Sequence, residues 1–278
     1  MPKSSIIFFG THHFATAILE SLVNSEYKVS GIITQPDRPA GRSKKIQKPQ
    51  TKIYGEAHNI PVFQPETLKN YSIQVEDAIL AVCAQYGSII PQSVLDIFPK
   101  GIINVHTSLL PKYRGASPIQ SAIRNGDTET GVTIMKMDKG MDTGDILSQA
   151  SIAILPDETY PELESRMAVL GGTLLTTTLP LYLNESIVPE KQNSEHATQC
   201  KIISRDDGKI DWENMTAEEI YNMYRAYTPW PGIWTFLEGK RLKLLQIKKT
   251  EHSLPAGMCT VTDKQIFVKK KNGSVEII

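Results

Sequence analysis

Three side chains carry the chemistry that this chain can be expected to do: an amide, Asn104, an imidazole, His106, and a carboxylate, Asp142. The first two lie in Asn104-Val105-His106-Thr107-Ser108-Leu109-Leu110-Pro111. An amide can stabilise an oxyanion, an imidazole can move a proton, and a carboxylate can orient the ring that moves it. The segment leading in, Gly101-Ile102-Ile103-Asn104-Val105, is short, apolar and β-branched, and Pro111 stops it. It reads as a buried strand running into a loop. Polar groups at the carboxyl end of such a strand are well placed for a ligand in an α/β sheet. A core Asn and His with their hydrogen bonds satisfied would leave the same trace, and the triplet alone does not separate the two. Ser108 stands close by, but no Gly-x-Ser-x-Gly elbow surrounds it, which argues against a serine nucleophile.

The elements that must position these groups alternate along the first half of the chain. Residues 5–9, 29–34, 78–83, 102–105, 132–137 and 146–154 read as strands. Residues 14–23, 52–58 and 92–97 read as helices, and 160–183 as a helix interrupted near Gly171-Gly172 and Pro180. That alternation predicts a mostly parallel, doubly wound sheet. Residues 35–50 are rich in Pro, Gly and Lys and are expected to form a long loop, exposed to proteolysis near Arg42 to Lys45. Residues 184–205 are polar and weakly patterned, as a linker is. Beyond them the texture changes to short strands with close turns, at 206–212, 234–238, 241–248, 257–261, 265–269 and 274–278. One helix, 216–226, interrupts them, with Thr216 and Glu219 at capping-box spacing. A small all-β barrel is the expected result. The division is 1–190 for the α/β domain, 191–205 for the linker and 206–278 for the barrel.

Composition excludes several classes. The 278 residues are 40% hydrophobic, and no run of eighteen apolar residues exists, so no transmembrane helix is expected. The amino-terminal stretch lacks the apolar core and cleavage site of a signal peptide. Three scattered cysteines form no disulfide framework, which fits a cytoplasmic location. No HExxH or CxxC occurs, so no metal is expected. Lys and Arg number 30 and Asp and Glu 30, so net charge selects no partner. Local charge does: 38–52 holds six basic residues and no acid, and 240–271 holds nine against two acids. Such patches can bind a polyanion, although ordinary solvated surfaces have the same look.

Larger motifs narrow the reading. They are Ile-Ile-Phe-Phe-Gly-Thr (6–11), Gln-Pro-Asp-Arg-Pro-Ala-Gly-Arg-Ser-Lys-Lys (35–45), Pro-Val-Phe-Gln-Pro (61–65), Tyr-Arg-Gly-Ala-Ser-Pro-Ile (113–119), Thr-Gly-Val-Thr-Ile-Met (130–135), Met-Asp-Thr-Gly-Asp (141–145) and Pro-Trp-Pro-Gly (229–232). With these the chain resembles the methionyl-tRNA formyltransferases over nearly its whole length. The resemblance implies a Rossmann-like formyltransferase domain followed by an OB-like barrel that helps hold tRNA. It implies 10-formyltetrahydrofolate as formyl donor, initiator methionyl-tRNA as acceptor, and a catalytic set of Asn104, His106 and Asp142. Ser108, Leu109, Leu110 and Pro111 fall on the folate-contacting loop; Tyr86, Gly87, Ile89, Met137, Asp138 and Gly140 can line the apolar slot that a pterin needs. Arg38, Arg42, Lys44 and Lys45 fall on the loop that approaches the acceptor stem, with Arg42 as the intruding side chain. Thr107, Gln85 and His12-His13 depart from the pattern, and the resemblance implies a further strand beyond Ile278. A monomer is expected.

In the expected mechanism the free methionyl amine attacks the formyl carbon, and Asn104 and protonated His106 donate to the oxyanion. Asp142 orients His106 and relays the proton through water. Three rivals share part of this pattern: a formyltransferase on an amino sugar nucleotide or purine precursor, a formyltetrahydrofolate deformylase, and a non-enzymatic tRNA-binding relative. The first would lack the basic loop and barrel, the second would carry a regulatory domain ahead of the catalytic one, and the third would have lost one of the three polar groups.

Overall fold

The computed structural model describes residues 5–41, 44–69, 71–73, 77–250, 259–262, 265–270 and 273–278. They form two compact units: Met1–Gly115 with Gly131–Ile152 and Ser165–Gln199, and Ala116–Thr130 with Ala153–Glu164 and Cys200–Ile278.

The first unit is built on a seven-stranded sheet. In chain order its strands are β1 (Ser5–Gly10), β2 (Lys28–Ile33), β5 (Val62–Phe63), β6 (Ala78–Ala84), β7 (Ile102–His106), β9 (Glu129–Lys136) and β10 (Ile146–Ala153), and across the sheet they run β10-β9-β7-β6-β1-β2-β5. The five strands from β5 to β7 are parallel, and β9 is antiparallel to β7. β1 is buried along its whole length, which its unbroken Ile-Ile-Phe-Phe run allows, because a central parallel strand is covered on both faces. The chain steps outward from β1 to β2 and β5, then returns past β1 to β6 and β7. The strand order therefore reverses between β1 and β6, and a ligand crevice is expected at the carboxyl ends of these strands. Phe9 packs edge-to-face on Tyr86 at 5.5 Å and on Phe98 at 6.4 Å, in the core under that crevice.

Helices α1 (His13–Val23), α2 (Gln50–Ala57) and α3 (Gln92–Leu95) lie where the pattern puts them, give or take two residues at each end. Two expectations change. α5 (Tyr160–Leu183) is continuous, without the interruption expected at its glycines. A Cβ on Gly172 would fall on the Ser21 hydroxyl, and one on Gly171 would lie 3.1 Å from Ile18. The glycines thus mark close packing against α1 rather than a break, and Pro180 sits in the last turn, so the one backbone bond it removes lies at the helix end. The segment read as a long loop also contains a hairpin, β3 (Arg38–Ala40) against β4 (Lys45–Gln47). β8 (Arg114–Gly115) and β11 (Gln199–Cys200) are two-residue strands.

In the second unit, α4 (Pro118–Asn125) packs against α6 (Ala217–Tyr227), so a cut at residue 190 would separate these helices. β12 (Ile233–Leu237) pairs with β13 (Lys240–Leu244). β14 (Ile247–Thr250), β15 (Cys259–Thr262), β16 (Gln265–Lys270) and β17 (Gly273–Ile277) form an antiparallel sheet in the order β14-β17-β16-β15. The strand expected at 206–212 is instead a 3-10 turn at Asp206–Gly208 followed by one bridge, Lys209 to Trp234. The Asp207 carboxylate turns back onto the Ser204 N–H and hydroxyl, both at 2.7 Å, and this local bonding competes with a ladder.

The capping box of α6 is present in full. Thr216 Oγ1 accepts from the Glu219 N–H at 3.1 Å, and Glu219 Oε2 accepts from the Thr216 N–H at 2.7 Å. Thr216→Ala should destabilise the protein by about 0.5–2 kcal/mol, read as a lower urea midpoint at unchanged slope.

Candidate active site

β7 ends at His106, at the carboxyl edge of the parallel strands. Side chains two apart on a strand share a face, so Asn104 and His106 point the same way. Both are buried, with 9% and 6% exposure, and Asp142 is half-buried. Asn104 pairs with Cys83 of β6 on one side and Met135 of β9 on the other, and His106 pairs with Thr133.

The structure brings Asp142 to His106. Asp142 Oδ1 lies 3.6 Å from His106 Nδ1, and Asp142 Oδ2 accepts from the Gly115 N–H at 2.8 Å. The other ring nitrogen, Nε2, lies 3.0 Å from the carbonyl of Tyr113. A carbonyl can only accept, so Nε2 carries the proton there and Nδ1 is the nitrogen turned to the carboxylate. Donation from Nε2 to an oxyanion therefore requires it to leave Tyr113 O. Asp142 has φ +53°, a left-handed conformation that costs about 1–3 kcal/mol in an ordinary residue and is better tolerated by Asp.

The loop after β7 is stitched to β9 and β10. Thr133 Oγ1 donates to Ser108 O at 2.6 Å and accepts from the Leu110 N–H at 3.1 Å. Gln149 Nε2 donates to Leu110 O at 2.8 Å and to Thr133 Oγ1 at 2.9 Å. A Cβ on Gly131 would fall on Ala150 O and close on Leu109, so glycine there lets β9, β10 and the loop meet. The Ser108 hydroxyl is fully buried and donates to Lys112 O at 2.6 Å, an engagement suited to shaping the loop. Leu110 is buried, and Leu109 and Pro111 are half-buried.

Tyr86 is buried on Phe9, and burial first, then the neighbouring Cys83 and Tyr71, pushes its phenol up to about 12. Its ring is a core group, and its carbonyl accepts from Thr11 Oγ1 at 2.8 Å. Gly87, at φ +80°, has open space where a Cβ would stand, and Ile89 beside it is 83% exposed. Asp138 Oδ1 accepts from the Gly140 N–H at 2.9 Å and from Thr143 Oγ1 at 2.7 Å, closing a tight turn whose Met141 side chain is exposed. Met137 packs against the core. Cys83 is buried, and desolvation pushes its thiol up to about 12, so no reactive thiolate competes with His106.

Of the basic residues singled out, Arg42 lies outside the described residues. Lys44 and Lys45 are exposed, with no ion pair among the described residues. Arg38 lies 3.4 Å from Glu66, an exposed pair of little energetic weight. Lys48 and Lys52 are turned to Glu56 and Asp37, which removes them from a free patch.

Sequence reasoning missed Gln192 and the use made of Arg114. Gln192 Nε2 donates to the backbone carbonyls of Asp142 and Gly144 at 2.9 and 2.7 Å, and its Oε1 accepts from Arg114 Nε and Nη2 at 3.0 and 2.8 Å. It stands in the stretch read as a linker, and a single amide in polar sequence gives no local signal of such a role.

Comparison with known proteins matches residues 3–179 to the formyl transferase family model, and 202–278 to the model of the formyl transferase C-terminal domain. The chain belongs to the formyl transferase family. Curated relatives include a methionyl-tRNA formyltransferase of Anaeromyxobacter dehalogenans (strain 2CP-C), 42% identical, covering 91% of this chain and 82% of that protein. Another, from Buchnera aphidicola subsp. Schizaphis graminum, is 43% identical and covers 98% and 87%. Among solved structures, an N-formyltransferase from Helicobacter canadensis, in complex with folinic acid and dTDP-3-aminofucose, matches with a TM-score of 0.76 at 22% identity, over 99% of this chain and 98% of that one. A sugar 3N-formyltransferase, crystallised with dTDP and 5-N-formyl-THF, matches at 0.73 and 22%, over 98% and 96%. The structural likeness speaks to the fold. The family places formyl transfer on this chain.

Thr133→Val keeps the shape of the side chain but strands the buried Leu110 N–H and Ser108 O. The expected loss is about 1–3 kcal/mol for each group left unsatisfied, with weaker binding of a folate analogue. Thr133→Ser should restore both, measured by denaturation and by titration calorimetry.

Proposed function

We propose that this formyl transferase moves the formyl group of 10-formyltetrahydrofolate onto the α-amino group of methionyl initiator tRNA. The observation that carries the chemistry is the alignment of Asn104, His106 and Asp142, with Asp142 Oδ1 3.6 Å from His106 Nδ1 at the carboxyl edge of the sheet. The choice of acceptor rests on relatives at 42% and 43% identity that bear the methionyl-tRNA formyltransferase name. The reading includes an OB-like barrel for 206–278 and tRNA contacts at Arg38, Arg42, Lys44 and Lys45. No disulfide joins Cys83, Cys200 and Cys259, which suits a cytoplasmic enzyme.

The residues at the crevice fit a flat heterocyclic donor. Gly87 leaves room beside exposed Ile89, the 138–143 turn is preformed, and Leu109 to Pro111 offer apolar surface. The folate supplies an electrophilic formyl carbon. The Asn104 amide donates to the oxygen that gains charge when the amine adds; fixed donors of this kind are worth about 2.7–4 kcal/mol in a barrier. His106 and Asp142 hold the proton released by the amine, so the leaving folate nitrogen can receive one as the C–N bond breaks. No covalent bond to the protein forms.

Asn104→Ala, His106→Ala and Asp142→Asn should each lower kcat by about 100-fold or more, with folate binding retained. A folded variant that keeps more than about a tenth of wild-type kcat removes that residue from the scheme. Acceptor choice is decided by offering labelled formyl donor with charged initiator tRNA, with a dTDP-linked amino sugar, or with water alone. Label on tRNA supports the proposal, whereas label on the sugar or released formate replaces it.

Phosphate contacts release counterions, so tRNA affinity should fall steeply with salt. Lys44→Ala with Lys45→Ala should flatten the plot of log affinity against log salt by about 1–2 while leaving folate affinity unchanged. An unchanged slope would remove the hairpin from the tRNA footprint.

A further inference from the structure

We propose that Gln192, with Arg114 behind it, is a positioning residue for Asp142, fixing the left-handed turn that aims the carboxylate at His106. The inference rests on the catalytic reading of Asp142 given above. Two separate holds act on this residue. The Gly115 N–H takes Asp142 Oδ2 directly at 2.8 Å. Gln192 takes the backbone: both hydrogens of its amide are used, one on Asp142 O at 2.9 Å and one on Gly144 O at 2.7 Å. Those carbonyls bracket the residue pair that leaves the φ +53° position of Asp142.

The orientation of the Gln192 amide is not free. Arg114 Nε and Nη2 both point at its oxygen, and a guanidinium offers only donors, so the nitrogen must face the turn. Arg114 is 9% exposed and cannot readily exchange this contact for water. The far side of the turn is fixed as well. A Cβ on Gly144 would fall on Lys136 O, and the Lys136 N–H donates to Asp145 O at 2.9 Å. The neighbours Arg114 and Gly115 thus control the same residue by two routes, one through its carboxylate and one through its backbone. With Gln192 removed, the Asp142 and Gly144 carbonyls lose their donor. The turn can then relax out of the left-handed region, swinging Oδ1 away from Nδ1.

Gln192→Glu is the sharpest variant, because it keeps the shape and the Arg114 pairing but loses both donors to the turn. Gln192→Met is the second, removing donors and acceptor together. Formyl transfer from 10-formyltetrahydrofolate to charged initiator tRNA is followed under saturating conditions, with calorimetry of a folate analogue alongside. The expected result is a kcat at least about tenfold lower in both variants, with folate Kd and the KM for tRNA changed less than about twofold. On an Asp142→Asn background, substitution at 192 should lower kcat no further, because both changes remove the same aimed carboxylate. A folded Gln192→Glu enzyme with near-wild-type kcat would overturn the inference. So would losses that multiply in the double variant, which would show Gln192 acting apart from Asp142. An Asp142→Asn enzyme of near-wild-type activity would instead sink the catalytic reading, and the inference with it. An impaired Asp142→Asn beside an active Gln192→Glu sinks the inference alone.

Discussion

The hydrogen bond from the Gly115 N–H to the Asp142 carboxylate is the contact on which the site turns. Asp142 reaches His106 from a different part of the chain, and no regular helix or strand carries it there. A carboxylate on such a turn would face solvent unless a fixed donor held it inward. A backbone N–H on a two-residue strand is a good choice of donor, since it brings no rotamers of its own. Once Oδ2 is taken, Oδ1 is left for the imidazole. His106 in turn is held by the Tyr113 carbonyl, one residue ahead of Arg114. The short segment 113–115 therefore touches the imidazole, the carboxylate and, through Arg114, the backbone beneath the carboxylate.

The sheet serves this arrangement by supplying edges. The strand order reverses between β1 and β6, where a crevice is expected at the carboxyl ends, and β7 delivers Asn104 and His106 to that edge on one face. The antiparallel β9 lies directly beside them, so Thr133 sits opposite His106 in register and can hold the loop that follows. Apolar packing of Phe9, Tyr86 and Phe98 fills the space beneath. That packing explains why Tyr86, whose motif suggests a binding role, spends its ring on the core and contributes only backbone to the rim.

Much of this was legible in the residues because the signals are local. A β-branched run ended by proline marks β7 and its loop, and Thr216 with Glu219 marks the start of α6. What escaped depends on distant partners. Gly171 and Gly172 look like a break until α1 is seen against them. The Pro-, Gly- and Lys-rich stretch at 35–50 conceals a hairpin whose strands are three residues each, too short for any periodicity. Asp206 to Trp212 alternates like a strand, yet Asp207 prefers Ser204. Gln192 was hidden most completely. Its neighbours are polar, and its function is set by two carbonyls and a guanidinium that only the fold brings to it.

The bonding of Thr133 and Gln149 bears on how the pocket can respond to a guest. A loop joined to two sheet strands through a threonine hydroxyl and a glutamine amide has little compliance of its own. It will shift with the sheet or hardly at all. Breathing that admits and releases a bulky donor is then left to other segments, such as the turns that carry exposed Ile89 and Met141. The loop after β7 thus acts as an anvil, and adaptation to different folates is left to less tightly bonded segments.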